Sequence, residues 1–294
     1  MFVHLIDGTY ELFRQHFGQA ARHDDPGPYA ATVGVLASTL QLIGEGATHI
    51  GVASDHVIES FRNDLWPGYK TSEGMPPELL EQIPVLETAL IKMGVTTWAM
   101  VDHEADDALA AAAAVADRDE RVERVLILTP DKDLAQCVRG TRVVQLDRRK
   151  NEILDEQGVW AKFGVGPGSI ADYLALVGDS ADGFPGLPGW GAKSAATVLE
   201  RFGTIDAIPP DAAAWHLPGL RGAAKLAQTL AEHHDLAMLF RRIATVVDDL
   251  PVGTVDDWEW RGPQDGFGEI AEQIGAPQLL PRSERLAAKR RGAP

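Results

Sequence analysis

Short apolar runs alternate with longer amphipathic stretches over the first half of the chain. The apolar runs are FVHLI (2–6), HIGVAS (49–54), VTTWAMV (95–101), RVLILTP (124–130) and TRVVQLD (141–147). Helical periodicity lies between them at roughly 30–45, 77–93 and 104–118. Strands that alternate with helices predict an α/β fold, with a mostly parallel central sheet flanked by helices.

Acidic residues follow the first four apolar runs. These acids are Asp7, Asp55, the cluster Glu104, Asp106 and Asp107, and the pair Asp131 and Asp133. Ligands of open parallel sheets bind at the carboxyl ends of the strands, so we expect these side chains to converge on one edge. A single acid after a strand is ordinary loop chemistry. Four runs in succession, two of them leading into groups of acids, favour a functional site.

The pattern changes after about residue 165. The segment 164–203 predicts a helix, a Gly/Pro-rich hairpin and a second helix, and helical periodicity continues to about 245. Residues 250–280 are rich in Pro, Gly and Trp and give no clear pattern, and the final basic stretch, 281–294, is predicted to be a frayed tail. We therefore predict a core at 1–165, a helical lobe at 166–250 and an extension at 251–294.

The hairpin GLPGWGAKS offers backbone N–H groups to an anion. It is not a Walker P-loop, because Ala192 separates Gly191 from Lys193. It fits either a tight turn between two helices or a helix-hairpin-helix that holds a phosphate at a helix N-terminus. The candidate DNA-binding residues are Gly189, Gly191, Lys193 and Ser194. Just before them, Asp179 and Asp182 form either a solvated loop pair or part of a metal site.

The amino-acid composition limits the class of protein and the kinds of binding partner that we expect. The chain has 294 residues, 45% of them hydrophobic, which is typical of a soluble globular protein. Its net charge of −16 argues against nucleic acid unless many acids hold divalent cations. A single cysteine, Cys137, excludes an intrachain disulfide and fits a reducing cytoplasm. There is no membrane-length apolar run and no signal-peptide pattern, so we expect a cytoplasmic protein without a membrane partner.

Several separated motifs, taken together and in order, resemble the bacterial 5′-nuclease (flap endonuclease) family. This family includes the 5′→3′ exonuclease domain of bacterial DNA polymerase I and its stand-alone relatives. The resemblance covers roughly residues 2–250, and no polymerase domain follows, so we expect a stand-alone member. The matching segments are LIDGTYELFR (5–14), SDHVIESFR (54–62), YK (69–70), EADD (104–107), TPDKDL (129–134), GDSAD (178–182) and FPGLPGWGAKSA (184–195).

The resemblance implies a PIN-like nuclease core in which nine acids hold two divalent cations, Mg²⁺ or Mn²⁺. The first site would comprise Asp7, Asp55, Glu104 and Asp106, with Asp107 acting through water. The second would comprise Asp131, Asp133, Asp179 and Asp182. Two such ions activate a water and stabilise charge on the scissile phosphate. The family's hairpin also binds a monovalent cation, often K⁺.

Three basic residues match family positions near the reacting phosphate: Lys70, Arg62 and Arg14. Exposed solubilising charge is the alternative for the first two. The family's helical arch, which admits a free 5′ end, would lie within about 62–92, its first part mobile without DNA. Further candidate phosphate contacts are Arg139, Arg142, Arg148, Arg149 and Lys150. The chain departs from the family at Glu73, where arginine is usual, at Gly183, where asparagine is common, and at Trp190, where a small aliphatic residue is usual.

The resemblance implies a monomeric nuclease that cuts flapped, nicked or 5′-ended DNA, and also RNA-primed 5′ ends, in primer removal and repair. Two other functions stay open at this point. A non-catalytic DNA-structure-binding protein is suggested by Glu73 and the acidic net charge. A PIN-like ribonuclease is the third, although that class typically has fewer acids and lacks the hairpin lobe.

Overall fold

The computed structural model describes residues 1–20 and 27–292. In chain order the strands are β1 (Phe2–Asp7), β2 (His49–Asp55), β3 (Thr96–Met100), β4 (Arg124–Leu128), β5 (Val143–Asp147) and β6 (Glu152–Leu154). The helices are α1 (Gly8–Ala20), α2 (Ala30–Gly44), α3 (Phe61–Leu65), α4 (Pro77–Leu80), α5 (Gln82–Lys92), α6 (Ala105–Arg118), α7 (Glu156–Phe163), α8 (Ile170–Val177), α9 (Ala192–Phe202), α10 (Ala223–Glu232), α11 (His234–Ala244), α12 (Phe267–Gln273) and α13 (Leu279–Arg290).

The chain folds into two compact units, each built from separated segments. The first unit comprises Met1–Ile58, Ser72–Thr129 and Val247–Pro294, and the second comprises Glu59–Thr71 and Pro130–Val246. These units are discontinuous in the chain, and the linear domain boundaries at 165 and 250 stay a prediction. Composition shows where the character of the chain changes, whereas a compact unit is defined by contacts between distant segments.

The first unit contains four parallel strands in the order β3-β2-β1-β4. The central strand β2 is buried along almost its whole length, as expected for a parallel strand covered on both faces. Strand β4 is the last strand of the first unit. The next two strands along the chain, β5 and β6, belong to the second unit and pair with each other antiparallel. The predicted mostly parallel sheet with flanking helices is confirmed.

Helix α6 shows how the sequence places acids at a helix start. Its alanine-rich body favours helix, and Asp106 and Asp107 lie in the first turn, where the positive end of the helix dipole stabilises carboxylates. Glu104 and Asp107 form a reciprocal capping box that fixes where the helix begins. The close spacing of these acids therefore also stabilises the start of helix α6.

The C-terminal extension is an integral part of the first unit. Trp258 and Trp260 are 1% and 2% exposed, and the Trp260 backbone N–H donates to the carbonyl of Thr48 at 2.9 Å. The predicted frayed tail is wrong for residues 281–290, which lie within helix α13. That helix buries Ser283 and Ala287, and Arg290 near its end donates to the Trp260 carbonyl at 2.8 Å, so part of the basic stretch that suggested fraying is packed against the first unit.

The second unit has its own helical core. Its largest fully buried side chains are Trp215, Phe184 and Phe240. Helices α8 and α9 enclose the predicted Gly/Pro-rich hairpin, and α11 packs against α8. Over the described residues, no helix of either unit has the length and apolarity needed to cross a membrane.

Candidate metal centre and hairpin

Two acids of the first unit end neighbouring parallel strands. Asp7 is the last residue of β1 and Asp55 the last of β2. The Asp7 carboxylate accepts hydrogen bonds from the Tyr10 backbone N–H at 2.8 Å and from Thr129 Oγ1 at 2.9 Å. Strand pairing and these bonds bring Asp7 to the carboxyl edge of the sheet, where the sequence predicted it.

Asp55 connects the strand edge to the start of helix α6. Its Oδ1 accepts the Ala105 backbone N–H at 2.8 Å, next to Glu104 and Asp106. Glu87 of helix α5 supports the same strand end, because its carboxylate accepts from Ser54 Oγ and lies 2.7 Å from His56 Nδ1. The first-unit acids thus belong to one edge, and the sequence pattern alone did not point to Glu87.

Asp107 has a structural role in this unit. It is fully buried, its Oδ2 accepts the Glu104 backbone N–H at 3.0 Å and its Oδ1 accepts the Val247 backbone N–H at 2.8 Å. Both carboxylate oxygens hold backbone donors. The residue therefore fixes the start of α6 and anchors the return of the chain into the first unit.

The second unit brings three of the predicted acids into one cluster. Asp133, Asp179 and Asp182 are all buried, and each offers a carboxylate oxygen that lies within 4.8 Å of those of the other two. Asp131 lies beside them in the chain and its Oδ1 accepts the Asp133 backbone N–H at 3.0 Å. Asp133 Oδ1 is buried and lacks a hydrogen-bond partner. We name Asp133, Asp179 and Asp182 the acid triad.

Burial and mutual repulsion raise the pKa of two members of the acid triad. The pKa of Asp133 lies well above its ordinary value, mainly because burial disfavours the charged form and secondly because Asp131, Asp182 and Asp179 repel it. Burial likewise raises the pKa of Asp182, while Lys70 opposes that rise. Such a cluster costs free energy unless cations neutralise it.

Two lysines pair with the acid triad. Lys70 Nζ lies 3.0 Å from Asp182 Oδ1, and the Lys70 backbone N–H donates to the Asp182 carbonyl at 2.9 Å. Lys132 Nζ lies 2.6 Å from Asp179 Oδ2. Burial lowers the pKa of Lys132, but the hydrogen bond and the attraction of Asp179 outweigh it, so the pKa is raised. The Lys132 ammonium is therefore charged at neutral pH.

The other two predicted catalytic cations have local partners. Arg62 is 3% exposed, and its guanidinium donates from Nε to the Ile243 carbonyl at 2.8 Å and also to the Thr245 carbonyl at 3.1 Å. This burial argues against an exposed solubilising charge, and the role of Arg62 near the reacting phosphate stays a prediction. Arg14 donates to the buried carboxylate of Glu11 at 2.5 Å.

The hairpin presents a cavity of about 720 Å³ beside the start of helix α9. Gly189 has a φ of 80°, a backbone conformation that is strained for a residue with a side chain. The Gly191 backbone N–H donates to Ser194 Oγ at 3.0 Å. The four predicted DNA-binding residues line this cavity together with Thr197, Gly219, Leu220 and Arg221. The sequence did not indicate that the loop before α10 would contribute Arg221.

Comparison with known proteins assigns the family. The family models "5′-3′ exonuclease, N-terminal resolvase-like domain" and "5′-3′ exonuclease, C-terminal SAM fold" match residues 2–164 and 165–266. The chain belongs to the 5′-3′ exonuclease family. The resemblance inferred from the sequence motifs is confirmed.

Relatives within the 5′-3′ exonuclease family differ in length. DNA polymerase I of Bacillus caldotenax is 32% identical over 95% of this chain, and the chain spans 32% of that relative's length. The 5′-3′ exonuclease of Aquifex aeolicus is 32% identical, over 70% of this chain and 71% of the relative. The chain therefore spans about a third of the DNA polymerase I relatives that it matches, and most of the shorter exonucleases.

Solved structures share the fold of this 5′-3′ exonuclease family member. A T5 5′-exonuclease with bound zinc has a TM-score of 0.66 at 21% identity, over 93% of this chain and 98% of the other. The catalytic core of Rad2 in complex with DNA substrate has a TM-score of 0.62 at 15% identity, over 96% and 91%. These likenesses support the α/β core and the helical lobe.

Two departures from the family pattern have structural reasons. Gly183 has a φ of 83°, and a side chain there would collide with the backbone of Gly68. Trp190 is 7% exposed and packs against Trp215, with ring centroids 6.2 Å apart, so it contributes to the core of the second unit. Glu73 is exposed, and its effect on phosphate binding stays a prediction.

The predicted arch region, 62–92, contains elements of different character. Its last part, helix α5, buries Ile83, Leu86 and Leu90 and packs against α2 and β3. The role of the arch stays a prediction that concerns residues before α5.

Arg139, one of the further candidate phosphate contacts, has local partners. It donates to the carbonyls of Gln136 and Val138 at 2.7 and 2.8 Å.

We predict that the stability of the metal-free protein falls as the pH rises through the raised pKa of Asp133. A carboxyl with a folded pKa above its unfolded value contributes stability that is fully present below the unfolded pKa and is lost at higher pH. In EDTA, Asp133→Asn removes this loss, and its melting temperature should exceed that of the wild type by a few degrees at about pH 8 and by less at about pH 5. Thermal unfolding across this range measures the difference.

The exposed acid Asp265 supplies the control for this pH dependence. Asp265→Asn should follow the wild-type curve, because an exposed carboxylate is solvated in both states. If Asp133→Asn shows the same pH slope as the wild type, the buried carboxylate does not carry the effect.

Proposed function

We propose that this protein is a structure-specific 5′-nuclease that hydrolyses phosphodiester bonds in flapped, nicked or 5′-ended DNA. The observation that carries the proposal is the buried acid triad in a member of the 5′-3′ exonuclease family. A protein that only bound DNA would gain nothing from placing several carboxylates near phosphate. The same triad with cations is suited to phosphate chemistry.

The acid triad fits a hard divalent cation. Its donors are all carboxylate oxygens, the ligands that Mg²⁺ and Mn²⁺ prefer. The buried Asp133 Oδ1, which lacks a hydrogen-bond partner, is a ready ligand. We propose that the second-unit acids Asp131, Asp133, Asp179 and Asp182 hold one ion and that Asp7, Asp55, Glu104 and Asp106 hold the other. Ions bound there lower the pKa of a water and stabilise charge on the phosphate.

The remaining residues position the substrate. Lys70 brings a positive charge to the edge of the acid triad, where it can contact the scissile phosphate. The hairpin residues Gly189, Gly191, Lys193 and Ser194 hold a duplex by its backbone without reading sequence, with K⁺ as a candidate bridging ion. Arg62 supports the loops around this region through the carbonyls that it binds.

Names of structural neighbours are consistent with this assignment. Their titles describe divalent metal ions bound to the T5 exonuclease, a T5 flap endonuclease complex with DNA and metal ions, and Rad2 with DNA substrate. By that analogy we propose DNA as the substrate. From the resemblance of the sequence motifs we further propose RNA–DNA hybrids at primed 5′ ends as a second substrate, and a monomeric cytoplasmic enzyme of replication and repair.

Cleavage of an end-labelled 5′-flap duplex tests the function. The reaction is run with Mg²⁺, with Mn²⁺ and with EDTA, beside an electrophoretic binding assay on the same DNA. Metal-dependent cutting near the flap base supports the proposal. Tight binding without cutting under either metal would favour a DNA-structure-binding protein, and faster cutting of single-stranded RNA would favour a PIN-like ribonuclease.

We predict that neutralising the two cations of the hairpin cavity weakens duplex binding at low salt. The double variant Lys193→Ala with Arg221→Ala should lose about tenfold in affinity, and its log–log salt slope should fall by about 2, since each cation contributes roughly 1 to that slope. Fluorescence anisotropy on a labelled duplex in Ca²⁺ gives both quantities. Both residues are exposed and line the cavity.

Arg201 is the matched control for this prediction. It lies on the same helix, α9, is exposed and does not line the cavity. Arg201→Ala should keep the wild-type salt slope. An equal loss of slope in both variants would show that binding reflects overall charge and not the hairpin.

A further inference from the structure

Lys132 forms an ion pair with a carboxylate that the proposed function assigns to a metal. Its Nζ lies 2.6 Å from Asp179 Oδ2, and the Asp179 side chain is 2% exposed. The Lys132 side chain is 34% exposed, so its ammonium has a route to solvent. Neither its place in the DKD segment nor the family resemblance singled this residue out.

The pair uses Asp179 Oδ2, the carboxylate oxygen that does not accept the Ala181 backbone N–H. Asp179 Oδ1 already accepts the Ala181 backbone N–H at 2.9 Å, which fixes the loop, and Oδ2 accepts Lys132. A divalent cation and an ammonium on the same oxygen repel each other strongly in a buried site. Asp179 can therefore take full part in the acid triad only when Lys132 moves away.

Lys132 and Lys70 differ in their freedom to move. The backbone of Lys70 is fixed on both sides, because its N–H donates to the Asp182 carbonyl at 2.9 Å and its carbonyl accepts Asn63 Nδ2 at 2.9 Å. Lys132 lies just before the short helix Asp133–Cys137, and its long side chain can swing outward without moving the backbone. Its ammonium can therefore either contact Asp179 or point into solvent.

We propose that Lys132 is an exchangeable counter-cation of the metal centre. In the metal-free protein it neutralises Asp179 and holds the acid triad together. When a divalent cation is bound, Lys132 releases Asp179 and turns its ammonium to a phosphate of the DNA. This inference rests on the proposed nuclease function, and it adds a phosphate-contacting residue with a second role before metal binding.

The proposal predicts opposite effects on metal binding and on cutting. Lys132→Met keeps an unbranched side chain of similar size and removes the charge, so Mn²⁺ should bind about tenfold more tightly in the absence of DNA. The same variant should cut 5′-flap DNA with kcat/KM lowered about tenfold or more, because a phosphate contact is lost. Lys132→Arg keeps the charge. It should therefore bind Mn²⁺ as weakly as the wild type and recover most of the flap cleavage.

The experiment is a Mn²⁺ titration of the full chain without DNA, read by electron paramagnetic resonance of the free ion, beside flap cleavage. Lys225→Met, an exposed lysine on α10 of the same unit, is the control and should leave Mn²⁺ affinity unchanged. Thermal unfolding confirms that each variant is folded.

The outcomes separate this inference from the proposed function. If the wild type binds Mn²⁺ and cuts the flap, but Lys132→Met binds Mn²⁺ no more tightly, the exchange proposal is overturned and the nuclease function stands. If the wild type binds no Mn²⁺ and does not cut, the proposed function fails and the exchange proposal falls with it. If Lys132→Met binds Mn²⁺ more tightly and cuts more slowly, while Lys225→Met does neither, the result supports both the exchange proposal and the nuclease function.

Discussion

Replacing Asp133 with asparagine should lower flap cleavage by about 10³-fold or more, a larger loss than the 10- to 100-fold typical of a residue that only supports a metal ligand. The carboxylate is buried in the acid triad, and an amide there cannot neutralise a divalent cation. Flap binding in Ca²⁺ should change by less than about threefold, because the hairpin cations lie elsewhere in the second unit. Single-turnover cleavage with excess enzyme separates the two effects.

Asp172 is a matched control for this substitution. It is a buried aspartate of the same unit, with its pKa raised mainly by burial, and it pairs with Arg241 and the Ile205 backbone N–H outside the acid triad. Asp172→Asn should lower stability yet keep cutting within a few fold. Wild-type cutting by Asp133→Asn would remove Asp133 from the metal centre.

Replacing Trp260 with alanine should lower the free energy of unfolding by about 3–5 kcal/mol, the usual cost of deleting a large buried aromatic side chain. Trp260 is 2% exposed, its indole N–H donates to the Met93 carbonyl at 2.9 Å, and Arg290 stacks over its ring. The substitution leaves a cavity and removes the donor for that carbonyl. Urea unfolding followed by far-ultraviolet circular dichroism measures the loss.

Trp160 provides the comparison at the surface. It lies on helix α7 with 43% of its area exposed, so Trp160→Ala should cost much less than Trp260→Ala. Equal midpoints for Trp260→Ala and the wild type would show that residues 251–290 do not support the first unit.

The strands and most acids were predictable because their signals are local. An apolar run followed by an acid, such as β2 and Asp55, needs only neighbouring residues to be recognised. The order β3-β2-β1-β4 then brings Asp7 and Asp55 to the same edge, as parallel topology requires. The sequence pattern left Asp179 and Asp182 as either a loop pair or part of a metal site, and the family resemblance was needed to group them with Asp133, which lies far away in the chain.

Other features depend on contacts that no local pattern encodes. The role of Asp107 became visible only through Val247, which donates to it from far along the chain. Arg62 was predicted to lie near the reacting phosphate, with an exposed charge as the alternative, and no sequence pattern indicated that it would be buried and donate to the distant Ile243 carbonyl. The Trp-rich segment after 250 gave no helical or strand period, because its side chains pack into a core formed by earlier residues.

The discontinuous first unit has a consequence for protein synthesis. Its contacts include Trp260 on Thr48, so the unit cannot close before the segment after Val246 has left the ribosome. The second unit is complete in sequence at that point and can fold earlier, as domains commonly do during translation. The strand edge that carries Asp7 and Asp55 therefore gains its final support only after the second unit has been synthesised.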